Sequence, residues 1–421
     1  MIQFSEAITL LKNLAQECRL EKEIIFLEIA DGRICSKDIL SPEAVPSFNN
    51  SAMDGFAIRS KDTEGASANT PIRLPVHSII AAGDSLSCCT HSIVAMEIMT
   101  GAPVPEGLDA VIKIEDVKIL KETNEILIYS FIPIGNNIRN KGEDYQIGQM
   151  VLPKGSLVRA ESMMALASLG LGEVPVYKRP IFAILSTGKE LAPYQTKNLQ
   201  SGMIRNSTAI YLKTALGHLG AEVAYVKTMG DEIDTFKKYL LEILNQDIDI
   251  LVTTGAVSMG KYDFIAPTLK EMCGEILFHK VSIRPGKPIL VAKIPRKGKN
   301  PLVIFGMPGN PISTAVGFRF FLTPFFRELH GQTPEQALQI KLSQTTFKPE
   351  GLNCFYKAKL ESVESGLVVS PLKQQASFMV SPLVKSNAWV VFPENGKQIN
   401  KDEEVSVYPL LPNQSYEWGN L

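Results

Sequence analysis

Cysteine is scarce in this chain. Six thiols, Cys18, Cys35, Cys88, Cys89, Cys273 and Cys354, are spread over 421 residues. No Cys-x-x-Cys pair occurs, and the adjacent Cys88 and Cys89 do not have a metal-ligand spacing. The five histidines are dispersed as well, so no zinc site is expected. Scattered, reduced thiols suit a cytoplasmic protein. An excess of charge is also lacking. The net charge is -1, which argues against nucleic acid as the main partner, because a polyanion calls for a basic surface. A local basic pocket is compatible with that balance. Long apolar runs are missing too. The stretch from Ala315 to Phe326 is interrupted by Arg319 and is too short to span a bilayer. Met1 to Glu6 holds no basic segment followed by an apolar run, so no signal peptide and no membrane partner are expected.

What is present is enough chain for about three or four domains. Ser5 is placed to cap a first helix that carries Ile8, Leu11, Leu14, Ala15 and Cys18 on one face. An extended stretch at 23–29 and a loop-rich segment from Pro42 to Gly55 follow. Between 56 and 145 short apolar runs alternate with Gly, Pro and Asn turns, which reads as a β domain. A helix over 157–169 is expected to pack on the first helix, so that the β block is an insertion in a discontinuous domain. From 177 to 332 strands and helices alternate, which predicts a parallel sheet with helices on both faces. The last block, 333–421, reads as a small β-barrel or sandwich. The fold class is therefore multidomain α/β plus β. The expected boundaries are 1–45 with 146–176, then 46–145, 177–332 and 333–421.

Four turns of the α/β block carry the chemistry. Ser186-Thr187-Gly188-Lys189-Glu190 is a hydroxyl-rich turn whose backbone N–H groups suit an anion, and Glu190 could hold a hydrated divalent cation. Thr254-Gly255-Ala256-Val257-Ser258-Met259-Gly260 follows a buried strand and opens a helix, with Asp263 as a cap or a ligand. It has neither the Walker spacing nor that of a dinucleotide fingerprint. Arg284-Pro285-Gly286-Lys287-Pro288 holds two cations on a stiff turn, which suits a small oxyanion. Met307-Pro308-Gly309-Asn310-Pro311 is a strand end that opens a long helix. Ligands of such folds bind outside the carboxyl ends of the strands, where these turns should meet. Taken alone, each is also ordinary turn chemistry. Asp231 follows Gly230 and is either a ligand or the first acid of a helix. Asp54 and Asp144 lie in further acidic turns, Asn50 to Gly55 and Gly142-Glu143-Asp144.

Together these motifs resemble the MoeA family, which includes the E domain of gephyrin and its plant counterpart. The resemblance begins at Phe48-Asn49-Asn50-Ser51-Ala52-Met53-Asp54-Gly55-Phe56-Ala57. It continues through Met99-Thr100-Gly101-Ala102-Pro103-Val104-Pro105 and Gly142-Glu143-Asp144, and ends with the four turns in family order. It implies a molybdopterin-binding α/β domain, an inserted β domain, a C-terminal β domain, and a homodimer whose cleft is shared between subunits. The implied reaction inserts molybdate into adenylated molybdopterin, requires Mg2+ and releases AMP. The implied partners are a molybdopterin adenylyltransferase and delivery proteins for molybdoenzymes. By position in the motifs, Glu190, Asp231 and Asp263 would handle magnesium. Asp54, Asp144, Glu190 and Asp263 would be catalytic. Thr100, Ser186, Thr187, Gly188, Gly255, Ser258, Gly260, Pro308, Gly309 and Asn310 would bind the pterin nucleotide. Arg284 and Lys287 would hold molybdate, with Lys357 and Ser377 from the last domain.

The chain departs from the family pattern in places. Lys189 stands where Asp is usual, Ala256 where Gly is usual, and Thr208 where Asn is common. Leu352 and Lys357 stand where arginines are expected. Ala256 should restrict positive φ and hold its loop farther from a phosphate. These departures leave open a diverged carrier that binds the cofactor without inserting metal. A scaffold role has less support, since no extended polar linker is present, and tungstate is as suitable in size as molybdate.

Overall fold

The computed structural model describes residues 1–85, 94–257, 264–364 and 366–412. Cys88, Cys89, Ser258, Gly260 and Asp263 lie outside the described residues. Among the described residues no helix is long and apolar enough to cross a membrane.

The first half of the chain runs out and returns along itself. Lys22–Phe26 pairs antiparallel with Glu173–Tyr177, Ile39–Leu40 with Met150–Leu152, and Asn50–Ser51 with Ile138–Arg139. These nested ladders form an arm. At its far end Gly55–Ile58, Ala95–Ile98, Ala110–Lys113 and three further strands make a six-stranded sheet over its own core of Phe56, Leu74, Ile112 and Ile126. Two expectations fail here. The first helix runs Phe4–Glu17 with Gln3 at the cap and no side-chain cap bond, so Ser5 lies inside it. Its buried face, Ala7, Leu11, Leu14 and Ala15, does not pack on the second helix, Ala160–Ser168. It joins the α/β core and lies along Thr323–Leu329. Leu166 of the second helix instead belongs to a small separate core with Cys35, Val158 and Val174. The reason is bulk. The first helix finds phenylalanines at 318, 321 and 325, and burying each large apolar side chain is worth about 1.5–3 kcal/mol.

The central sheet has the order Glu222–Met229, Ile181–Thr187, Ile250–Thr254, Leu302–Met307, Leu290–Ile294, Glu275–His279. The first four strands are parallel, and the last two run antiparallel to their neighbours. A parallel sheet was the expectation, and it fails at this edge because a ten-residue connection without a helix, 280–289, links 275–279 to 290–294. Helices Ser207–Leu219 and Pro311–Gly317 lie on one face, and Ile233–Leu244 and Ile265–Glu271 on the other. Gly306 sits in the sheet where a Cβ would meet Val257 Cγ1 at 2.8 Å.

The C-terminal strands close a five-stranded barrel. Asn353–Val363 pairs with Gly366–Pro371, which pairs with Leu338–Leu342, then Glu404–Pro409, then Ala388–Phe392, which returns to Asn353–Val363. Leu342, Cys354, Leu360, Val390 and Val407 fill it. Ile283–Arg284 adds to the same barrel strand in parallel, with Arg284 opposite Cys354.

Candidate active site at the strand ends

The carboxyl ends of the parallel strands lie on one edge, so the turns that follow them are neighbours. Gly188 N donates to Met229 O at 3.0 Å, and Gly255 N donates to Met307 O at 3.0 Å. Thr187 Oγ1 donates to Thr254 O at 3.2 Å. Three expected turns are therefore stitched directly to each other and to the Asp231 turn. The Arg284–Lys287 turn arrives at the same edge by another route. Its strand runs antiparallel, so its beginning, Leu290, pairs with Gly306 near the end of the parallel neighbour.

Glycine is required where the turns meet. A Cβ on Gly255 would lie 2.5 Å from Thr187 O and 2.7 Å from its hydroxyl, and Gly255 has φ +90°. The next residue, Ala256, holds φ +51°. The expected restriction does not keep Ala256 out of the positive-φ region. The turn keeps its left-handed conformation with alanine in place, at a cost of about 1–2 kcal/mol.

Charge is distributed unevenly around this edge. Arg284 and Lys287 are exposed, and their side chains have no hydrogen bond or ion pair among the described residues. On the other side, the Glu190 carboxylate lies over Gly188, where a Cβ would meet its oxygens at 2.7–2.9 Å. Asp231 Oδ2 accepts from Lys189 N at 3.3 Å. Asp231 is not the cap of the following helix, which begins at Ile233 with Glu232 in the cap position. Two carboxylates thus flank one turn. Among the described residues no group of three or more potential metal ligands is found. Two buried hydroxyls, Ser186 Oγ and Thr253 Oγ1, have no hydrogen-bond partner among the described residues, an unusual condition for buried polar atoms.

The barrel reaches this edge through the loop after Gly366–Pro371. Ser377 O accepts from Ile312 N at 3.0 Å, at the start of the helix that Asn310 opens. Gln375 clamps Lys357, accepting from its N at 3.0 Å and donating to its O at 2.9 Å. Lys357 is fully buried, not an exposed wall. Its Nζ donates to Ala376 O at 3.3 Å, and desolvation lowers its pKa to about 8. Lys348, also buried, differs. Its ammonium donates to three carbonyls, those of Pro349, Leu352 and Glu394.

Asp54, Thr100 and Asp144 belong to the six-stranded sheet and the arm. Asp54 Oδ1 accepts from Thr100 N at 2.7 Å and from Thr100 Oγ1 at 2.8 Å. These two donors hold the exposed Asp54 carboxyl below its ordinary pKa. Gly55 must be glycine, because a Cβ there would fall inside the Ile112 carbonyl. Asp144 N donates to Val45 O at 2.9 Å, which ties its turn to the arm.

The sequence reading missed Asn206. Its Oδ1 accepts from Ala209 N at 3.1 Å, capping the helix, while its Nδ2 donates to Thr228 Oγ1 at 3.0 Å. Thr208 then bonds Asn206 at 3.1 Å and stands 3.4 Å from Thr254 Oγ1. The cap pattern Asn206-Ser207 was the signal that could have found it. His279 was missed also. Its Nε2 pairs with Val257 O at 2.8 Å and fixes the second turn to the end of an edge strand, a contact with no local signature.

A multidomain α/β and β protein whose glycine-bearing turns meet at the strand ends is the class defined by this arrangement. Family models agree along the chain: "MoeA N-terminal region (domain I and II)" matches 2–170, "Probable molybdopterin binding domain" 183–328, and "MoeA C-terminal region (domain IV)" 339–410. The chain belongs to the MoeA family, an enzyme family of molybdenum cofactor biosynthesis. It is 38% identical to the molybdopterin molybdenumtransferase of Synechococcus elongatus over 397 residues, covering 93% of this chain and 96% of that one. The Bacillus subtilis protein of the same name is 32% identical over 406 residues, at 94% and 92% coverage. A crystal structure of the molybdopterin biosynthesis moeA protein from Pyrococcus horikoshii superposes with TM-score 0.82 at 27% identity, covering 97% of this chain and 99% of that one.

Proposed function

We propose that this protein inserts molybdate into adenylated molybdopterin at the strand-end edge, forming molybdenum cofactor and releasing AMP. The observation that carries this reading is the unpaired Arg284–Lys287 turn beside three stitched, glycine-bearing turns. The glycine turns offer backbone N–H groups to the phosphates, and the two cations attract a tetrahedral dianion. Ser186 and Thr253 bring buried hydroxyls that a substrate could satisfy. Ser377 and Lys357 approach from the barrel.

The residues present fit a magnesium ion. Glu190 and Asp231 supply two carboxylates beside the phosphate turn, and Mg2+ commonly takes one or two and keeps several waters. Asp263 would join them. When bound, the ion would neutralise phosphate charge and polarise the linkage that is hydrolysed. The chain's own groups position the nucleotide and hold the oxyanion. The carboxylates Asp54 and Asp144 sit on the arm and its sheet, and we assign them to the cleft of a second subunit in a homodimer.

The direct test is release of AMP from adenylated molybdopterin, measured with and without molybdate and Mg2+. Molybdate-dependent release supports the reading. Binding of the nucleotide without release under any condition would overturn it in favour of a carrier. The oxyanion turn is tested by Lys287→Ala. Loss of one charge-assisted contact should weaken molybdate binding by roughly 1.5–3 kcal/mol in calorimetric titration, with pterin binding less affected. Unchanged molybdate affinity would remove Lys287 from the site.

A further inference from the structure

The opposite edge of the central sheet holds a cavity of about 600 Å³. It opens where the parallel strands begin, at Ile181 and just before Ile250 and Leu302, and so faces away from the strand-end turns. Five cations line it against three carboxylates. The carboxylates are largely committed. Glu21 pairs with Lys178 at 2.5 Å, and Asp247 pairs with Lys299 at 2.5 Å. Asp249 Oδ2 accepts from Ile181 N at 2.9 Å, and its charge opposes that of the half-buried Arg296. Arg296 is itself fixed, with Nε donating to Asn300 O at 2.8 Å and Nη1 to Ile248 O at 2.7 Å. Two guanidinium groups remain over. The side chains of Arg19 and Arg179 line the cavity and have no hydrogen-bond or ion-pair partner among the described residues.

The frame around them is rigid. Arg19 N donates to Asn300 Oδ1 at 3.0 Å, and Asn300 Nδ2 donates back to Arg19 O at 2.6 Å. Pro180 follows Arg179 and limits its backbone. Leu20, Pro180 and Ile181 add an apolar wall. A concave site of small-molecule size, with two unpaired forks, an apolar wall, two carboxylates in ion pairs and the third bonded to the backbone, suits a ligand with one dianionic group and an organic body. A phosphate monoester carries close to two negative charges at neutral pH.

We propose that this cavity is a second anion site, which takes the phosphate monoester of a small molecule between Arg19 and Arg179. It is separate from the strand-end edge and does not depend on the reaction assigned there. The test uses ribose 5-phosphate as the probe, titrated into the full chain by calorimetry. Both arginines are exposed, so their replacement should leave the fold and the oligomeric state unchanged, which thermal unfolding and light scattering check. The double change Arg19→Ala with Arg179→Ala should weaken binding at least about tenfold. Lysine at both positions should restore part of it, and Arg284→Ala should leave it intact. Binding that survives the double change but disappears in Arg284→Ala would place the phosphate at the strand-end turns and overturn the proposal. Absence of binding to the unaltered protein would overturn it as well.

Discussion

At the scale of single residues, three side chains carry separable consequences. Ala256 pays for a left-handed backbone with its Cβ. Ala256→Gly is expected to stabilise the fold by about 1 kcal/mol, read as a higher denaturant midpoint at unchanged slope. A loss of stability would mean that the methyl group contributes more packing than strain. Asp54 is held in its ionised form by Thr100. Its folded pKa lies below the unfolded one, so the stability it adds is present above the unfolded value and is lost as pH falls through the folded one. Thr100→Ala keeps the backbone donor and removes the hydroxyl, so the Asp54 carboxyl should titrate higher by NMR. An unmoved titration would show that the backbone bond alone sets it. Lys357 has the opposite sign. Its pKa falls from 10.5 to about 8, so the unfolded chain binds that proton more tightly. Stability should rise as pH goes from about 8 to 10.5. Lys357→Met should flatten that rise and raise the unfolding midpoint at neutral pH, while weakening oxyanion capture. A lower midpoint would instead mark the ammonium as structural.

At the scale of elements, the long segment from Pro311 to Leu329 joins two domains of chemistry. It begins at the Asn310 turn, passes through a π-helical stretch Phe318–Leu322, and ends against the first helix. Arg319 lies in the π stretch and is buried. Its guanidinium takes both Glu335 oxygens, at 2.7 and 2.8 Å, and donates from Nε to Pro409 O at 3.0 Å. Tyr408 and Phe320 flank it. Arg319 therefore links the helix to the last barrel strand. Arg319→Ala leaves a carboxylate and a carbonyl without partners, and should cost about 3–5 kcal/mol in denaturant unfolding. Arg319→Met should cost less when made together with Glu335→Gln, because no lone charge remains. An equal loss in both would assign the effect to packing.

At the scale of the molecule, the carboxylates of the arm and the turns of the α/β sheet are built on different sheets. If a partner subunit completes the cleft, two inactive variants should complement each other. Asp54→Asn and Lys287→Ala chains, unfolded and refolded together, are expected to recover about a quarter of full activity through heterodimers with one intact cleft. Recovery of nothing would place both residues in a single-chain site.

Much of this was legible in the chain because it is local. The four turns were found from Gly, Pro and hydroxyl residues, whose φ preferences and hydrogen bonds act within a few positions. Their convergence followed from strand polarity, which the alternation of elements implied for three turns of the four. The misplaced cap at Ser5 is a local error of two residues, but the larger departures involve distant partners. Which helix the first helix joins depends on phenylalanines some three hundred residues away. That Ala256 would accept a left-handed backbone depends on Thr187 holding Thr254 and Met307 holding Gly255 just before it. The burial of Lys357 arises only when the barrel closes and Gln375 folds back over it. The sequence by itself determined the family, the order of elements and the residues that make each turn. The tertiary structure alone decided the antiparallel strands that bring Arg284 to the edge, the seat of the first helix, and which cations are left unpaired. The physical reason is that turn conformation is set by neighbouring residues, whereas pairing and desolvation are set by whatever the fold brings alongside.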